Sequence, residues 1–379
     1  MRVYLDNAAT TPLDEKVFEA MKPFYLEKFG NPSSIHSHGR EVRSAIEKSR
    51  RKVADLLHTS PSEVFFTSGG TEADNLAIFS GLQTFGIKHI ITSKLEHHAV
   101  LHAIEDFQQH HHVEISFVQL DEKGFIDYNH LEDLLKKNEQ SLVSLMHGNN
   151  EIGNLTDITK VGNICLEYNA FFHSDTVQTV AHFPIDLSKT NVHAISASAH
   201  KFHGPKGVGF IYINNEHQLK PLQIGGGQER NMRGGTENVA GIVGLAKAME
   251  LAYEELDRQR NYILDLKKYT IDRLRESIPQ VIFNGGCLDL KRSLYTVINI
   301  GLPGIEENDM LLFNLDINGI SVSGGSACSS GTNIGSHVLE ALNIDPDLGT
   351  IRISLSKFNT REEIDFALNK LSEICKVEA

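Results

Sequence analysis

A lysine that follows a strand of small residues is the first candidate for chemistry. Ala194–Lys206 reads AISASAHKFHGPK and presents His200 and Lys201 before a turn through Gly204 and Pro205. Most lysines are solvated surface groups, but the C-terminal edge of a doubly wound sheet is where ligands bind. An amine there is partly desolvated and nucleophilic, the kind that forms a Schiff base with an aldehyde cofactor. Asp175, about one crossover unit earlier, follows the apolar start of FFHSDTVQ at Phe171–Gln178. Taken alone it reads as a turn or cap residue. Beside such a lysine it supplies the carboxylate that pyridoxal phosphate needs to keep its ring nitrogen protonated. A third segment, FTSGGTEADN at Phe66–Asn75, runs from a strand through Gly69 and Gly70 into a helix. Glycines permit close backbone approach, and the free N–H groups of a first helical turn attract phosphate. Many ordinary helix starts look like this. The segment matches neither the dinucleotide fingerprint nor a Walker loop, so a monophosphate suits it better than a nucleotide.

Cysteine is the other reactive type. Cys165, Cys287, Cys328 and Cys375 are too few and too scattered in 379 residues for a disulfide framework. Cys165 falls on the apolar face of a helical pattern and reads as packing. Cys287 and Cys375 have no supporting context. Cys328 lies in SGGSACSSGTNIG, Ser323–Gly335, where glycines flank small polar residues. That composition predicts a loop with little to pack against, a poor place for a buried structural thiol. Gln108–His112, QQHHH, could bind a metal but lacks a second ligand cluster, so no metal site is expected.

The elements that position these residues alternate. Apolar runs at Val64–Thr67, His89–Ser93, Ile115–Leu120, Leu142–Met146, Ala170–His173, Ala194–Ser198 and Val208–Ile213 read as strands. Helical patterns fall between most of them, at Glu72–Leu82, Ala99–Gln108, Tyr128–Lys136 and Ile158–Tyr168. This order predicts an α/β fold with a mainly parallel seven-stranded sheet covered by helices on both faces. A basic amphipathic helix from about Ser44 to Leu57 reads as a solvated face. Ala240–Ile278 forms one long helical pattern with a break, and the remainder reads as a smaller α+β unit with strands near Val281–Phe283, Tyr295–Ile300, Ile320–Val322 and Ile351–Ser354. Apolar residues make up 40% and charged residues 22%, ordinary for a folded chain, and the formal charge of −13 argues against nucleic acid as the main partner. With no apolar leader and no membrane-spanning run, a reducing cytoplasmic setting is expected.

Read together, the lysine, the carboxylate and the phosphate cradle resemble those of the cysteine desulfurases, class-V aminotransferases of pyridoxal-phosphate fold type I. The matching stretches include YLDNAATTP at Tyr4–Pro12, GNPSS at Gly30–Ser34, TSGGTEADNLAI at Thr67–Ile78, EHHAV at Glu96–Val100 and HGNNEIG at His147–Gly153. They continue with DTVQ at Asp175–Gln178, SAHKFHGPKGVG at Ser198–Gly209, GGGQERNMRGGTEN at Gly225–Asn238, SGGSACSSG at Ser323–Gly331 and IRISLSKF at Ile351–Phe358. The resemblance implies a large cofactor domain over 15–258 and a small domain over 1–14 and 259–379 that carries the cysteine loop. It implies pyridoxal 5'-phosphate on Lys201, with Asp175 at the ring nitrogen and Gln178 and Asn150 near the ring hydroxyl. His97 would stack over the ring and assist proton transfers. Gly70, Thr71, Ser198 and His200 would bind the phosphate, joined by Thr236 from the partner subunit of a homodimer. Arg352, together with Asn150, would hold the substrate carboxylate, a task suited to guanidinium geometry. Cys328 would be the nucleophile that takes sulfur from L-cysteine as a persulfide, leaving L-alanine. The loop suggests the group I, iron–sulfur-cluster branch, which hands sulfur to a protein acceptor for cluster assembly or thio-modification. A selenocysteine lyase is the nearest alternative, and a non-catalytic sulfur-relay scaffold a more distant one.

Overall fold

The computed structural model describes residues 1–138, 140–216, 219–305, 308–324 and 335–377. Seven strands form one sheet in the order Val64–Thr67, Gly209–Ile213, Ala194–Ser198, Phe171–Asp175, Ser141–Ser144, His89–Thr92, Glu114–Phe117. All run parallel except Gly209–Ile213, which is antiparallel to both neighbours. Every strand but the edge strand Glu114–Phe117 is buried along its whole length, as helices on both faces require. A Cβ on Gly209 would lie 2.3 Å from the carbonyl oxygen of Ala197 and 2.8 Å from Cα of Gly69. Only glycine lets this strand bring the Gly69–Gly70 turn against the sheet edge.

Two elements depart from the sequence pattern for identifiable reasons. The strand expected at Ala170–His173 runs over Phe171–Asp175. Its polar end is tolerated because the buried His173 ring lies between hydroxyls, with Ser144 Oγ 2.9 Å from Nδ1 and Ser196 Oγ 3.0 Å from Nε2. The basic helix spans Ser37–Leu56, its first turn capped by His36 Nδ1, which accepts from the Gly39 N–H. Its face is not wholly solvated. Arg50 is buried and donates from Nη1 and Nη2 to the two carboxylate oxygens of Glu229, at 2.7 and 2.8 Å.

The long helical pattern divides at Glu255 into Val239–Glu254 and Leu256–Ser277. Ile263, Leu266, Ile271 and Leu274 of the second helix join an apolar cluster with the antiparallel strands Val297–Leu302 and Gly349–Ser354 and the helix Arg361–Val377. Val3 and Leu5 belong to the same cluster, through a strand Val3–Tyr4 paired with Ile320–Ser321. From there the chain crosses to the central sheet, where the Thr11 and Asp14 N–H groups donate to the carbonyls of His200 and His203 at 2.9 and 3.1 Å. The turn between, Asn7–Thr10, thereby comes to lie over the strand ends.

Candidate active site

Three loops leave the C-terminal ends of the parallel strands Val64–Thr67, Phe171–Asp175 and Ala194–Ser198 and close around a cavity of about 290 Å³. The first begins the helix Gly70–Phe85, whose N-cap residue Gly69 offers no side-chain acceptor. A Cβ on Gly70 would lie 2.6 Å from Cγ2 of Val177, so this wall of the cavity is shaped by a missing side chain. The second carries Asp175 and Gln178, and the third Ser198, His200 and Lys201. The Lys201 Nζ donates to the carbonyls of Ala8 and Ala9 at 2.7 and 2.9 Å, and Gln178 Nε2 donates to Ala8 at 2.9 Å. The turn that crosses from the apolar cluster of Val3 and Leu5 is thus a wall of the same site.

Burial sets the protonation here. Asp175 is pushed up to about 7, first by burial and then by the neighbouring Asp74 carboxyl, while its Oδ1 accepts from the Val177 N–H at 2.8 Å. His97 is pushed down to about 4 by burial and by the Lys201 charge, so its imidazole is neutral. Its Nδ1 accepts from the Ala99 N–H at 3.1 Å, which assigns the ring proton to Nε2. His200 is likewise driven to about 4 by burial and by Lys201 and Lys206, and its Nδ1 lies 3.0 Å from Thr10 Oγ1. Arg352 is buried, donating from Nη1 to the Asn150 carbonyl at 3.0 Å and from Nη2 to Asp6 Oδ1 at 2.7 Å. Its Nε has no hydrogen-bond partner among the described residues.

Of the residues singled out from the sequence, Gly70, Thr71, His97, Asn150, Asp175, Gln178, Ser198, His200, Lys201 and Arg352 all line this cavity. Thr236 does not; it borders a separate cleft beside Glu229 and Arg233. Cys328 lies outside the described residues. Cys165 is fully buried in the large apolar cluster, and its thiol is pushed up by burial alone. Sequence reasoning gave no role to Asp6, Asp74, Asn149 or His173. Asn149 fixes the loop before Asn150 by donating to Leu95 O and accepting from the Glu151 and Ile152 N–H groups. Adjacent asparagines carry no mark in the sequence that says which one faces the cavity. Asp6 lay in a quoted motif, and its nearness to Arg352 is a long-range contact that spacing cannot reveal.

The family model described as aminotransferase class-V matches residues 3–366. A protein named cysteine desulfurase IscS from Dictyoglomus turgidum is 46% identical over 98% of this chain and 94% of its own. The chain belongs to the cysteine desulfurases. A solved structure titled NifS-like protein superposes with a TM-score of 0.91 at 39% identity, covering all of both chains. Another, titled SspA in complex with cysteine, gives a TM-score of 0.81 at 31% identity over 94% of this chain and 100% of that one. Cysteine desulfurases are pyridoxal 5'-phosphate enzymes, and the residues of this desulfurase's cavity fit that group. A helix start without a side-chain cap suits an anion, Gly70 leaves room beside it, and Lys201 and the buried Asp175 line the same cavity.

Proposed function

We propose that this desulfurase takes sulfur from L-cysteine, releases L-alanine and holds the sulfur as a persulfide on Cys328. The observation that carries the reading is the convergence of Lys201, Asp175, the Gly70 helix start and Arg352 on one cavity. Lys201 would hold the aldehyde, Asp175 the ring nitrogen, and Gln178 and Asn150 the ring hydroxyl. The phosphate would be held by Gly70, Thr71, Ser198 and His200. Bound there, pyridoxal 5'-phosphate supplies an electron sink next to the substrate's Cα.

The chain's own groups do the rest. Arg352, which lines the cavity, receives the substrate carboxylate. The Lys201 amine takes the Cα proton. His97 stays neutral and offers Nε2–H as a hydrogen-bond donor to the reacting groups. Cys328, as thiolate, forms an S–S bond to the substrate sulfur. The Cβ–S electron pair remains with carbon, which takes a proton to become the methyl group of alanine.

A homodimer, with Thr236 reaching the partner's phosphate, is supported by exposed apolar side chains: Phe29 is 74%, Ile35 88% and Ile224 89% exposed. A division into 15–258, with 1–14 and 259–379 as the small domain, is supported by the separate apolar clusters. Among the described residues no helix is long and apolar enough to cross a membrane. A cytoplasmic setting, with a protein sulfur acceptor serving iron–sulfur cluster assembly, accords with the family. The test is incubation with L-cysteine and a reductant, assaying alanine and sulfide together. The Cys328→Ser variant is expected to keep the cofactor's visible colour and yield no alanine. Alanine formed at the native rate by that variant rules out Cys328 as the nucleophile.

A further inference from the structure

Asp74 lies one turn into the helix Gly70–Phe85, lines the cofactor cavity, is fully buried and has no role in the chemistry above. Among the described residues its Oδ1 has no hydrogen-bond partner, and it stands 3.5 Å from His173 Nε2. We propose that Asp74 is a positioning residue, kept as a neutral acid beneath the cavity so that Asp175 is the one ionised carboxylate facing the ring nitrogen. The proposal rests on the assignment of Asp175 to that nitrogen.

Two carboxyls in one dry site do not both ionise cheaply, and the surrounding donors decide which of them keeps the charge. Asp175 has the donors. Its Oδ1 accepts from the Val177 N–H, and the charge of Lys201 and the ring of His173 also favour its anion. Asp74 has only the Ser196 hydroxyl to favour its anion, and burial raises it to about 7. The other acid in this region, Glu96, accepts from the Met146 N–H through Oε1, has no partner for Oε2 among the described residues and is raised well above the ordinary range by burial. No lysine or arginine enters the causes that shift Asp74.

A neutral Asp74 also gives direction to a line of hydrogen bonds. Its acid proton is donated to Ser196 Oγ, the Ser196 hydroxyl donates to His173 Nε2, and His173 Nδ1–H donates to Ser144 Oγ. The two ring contacts are 3.0 and 2.9 Å. Burial holds the His173 ring neutral, at about 4, so it carries the single proton this line needs. An ionised Asp74 reverses the line and sets a second negative charge beside Asp175, raising its proton affinity and weakening its hold on the ring nitrogen.

The test uses the cofactor-loaded enzyme and its Asp74→Asn variant, read by infrared spectroscopy at neutral pH, by the pH midpoint of the cofactor's visible band and by the rate of cofactor release. A protonated carboxyl band present in the native enzyme is expected to vanish in Asp74→Asn. The amide remains a neutral donor, so the midpoint and release rate stay within about threefold of native. Asp74→Ala breaks the line and is expected to release cofactor about tenfold faster. Asp74→Asn with every native acid band still present, or with a midpoint displaced by about a full pH unit, shows that Asp74 was charged and overturns the proposal. If Asp74→Asn does not fold, Glu96→Gln removes the other buried acid of the cluster. A remaining acid band then supports the proposal and its absence overturns it. Asp175→Asn is expected to release cofactor at least about tenfold faster. Unchanged release from that variant, with the Asp74 band still lost in Asp74→Asn, places the error in the Asp175 assignment and not in the state of Asp74.

Discussion

Arg352 depends on a residue that the chain meets almost three hundred and fifty positions earlier. Its guanidinium is 2% exposed, and Asp6, at 2.7 Å, is its one acidic partner among the described residues. Asp6→Asn keeps the shape and one acceptor but removes the counter-charge, leaving a buried cation uncompensated. The expected loss is about 3 kcal/mol of folding stability, seen as a lower melting temperature of the purified protein. A melting temperature equal to the native one would show that solvent, not Asp6, balances Arg352. The contrast with Lys201 shows where single residues were legible. Lys201 and Asp175 stand at the ends of apolar runs, so strand periodicity alone put them on a sheet edge. Asp6 and Asp74 sit just before a turn and inside a helix, where acids are ordinary, and their meaning comes only from partners that folding brings to them.

At the scale of elements, the phosphate cradle is a fit between two loops. Gly70 opens one helix, and Val177 sits just beyond the strand that ends in Asp175, with 2.6 Å between Val177 Cγ2 and the place a Cβ on Gly70 would take. Gly70→Ala is therefore expected to displace the helix start and weaken cofactor retention about tenfold or more, at little cost to the melting temperature of the cofactor-free protein. Val177→Ala removes the clashing methyl. The next contacts, with Ser198 Cβ at 3.7 Å and Val177 Cβ at 3.9 Å, are ordinary. Equilibrium dialysis of the double variant is expected to recover most of the lost retention. No recovery would mean that Gly70 is needed for its backbone and not for the space it leaves. The helix start itself was readable from Gly69-Gly70-Thr71, but the glycine's neighbour was not. The Ser37–Leu56 helix repeats the point. Its amphipathic pattern was plain, whereas the burial of Arg50 against Glu229 required the Gly225–Asn238 segment to fold over it.

Over the whole molecule, buried titratable groups oppose one another in how stability responds to pH. His97, His147, His173, His200 and His203 are each driven by burial to about 4, against about 6.5 when unfolded. The unfolded chain binds protons first, so the stability these rings contribute is complete above pH 6.5 and is lost as pH falls toward 4. Asp74 and Asp175 act in the other sense. Raised to about 7 from 3.8, they favour the folded state below pH 3.8, and that contribution is lost as pH rises toward 7. The histidines outnumber the acids, so the cofactor-free protein is expected to lose stability from pH 6.5 down to about 5, by roughly 1.4 kcal/mol per pH unit for each excess proton taken up on unfolding. Loading the cofactor sharpens this. A protonated ring nitrogen beside Asp175 holds that carboxyl ionised and removes its opposing contribution, so the loaded protein should decline more steeply over the same range. Denaturant unfolding of both forms at several pH values measures the two slopes. A loaded protein with the same slope as the cofactor-free one would mean that Asp175 does not change protonation when the cofactor binds, and so does not face the ring nitrogen.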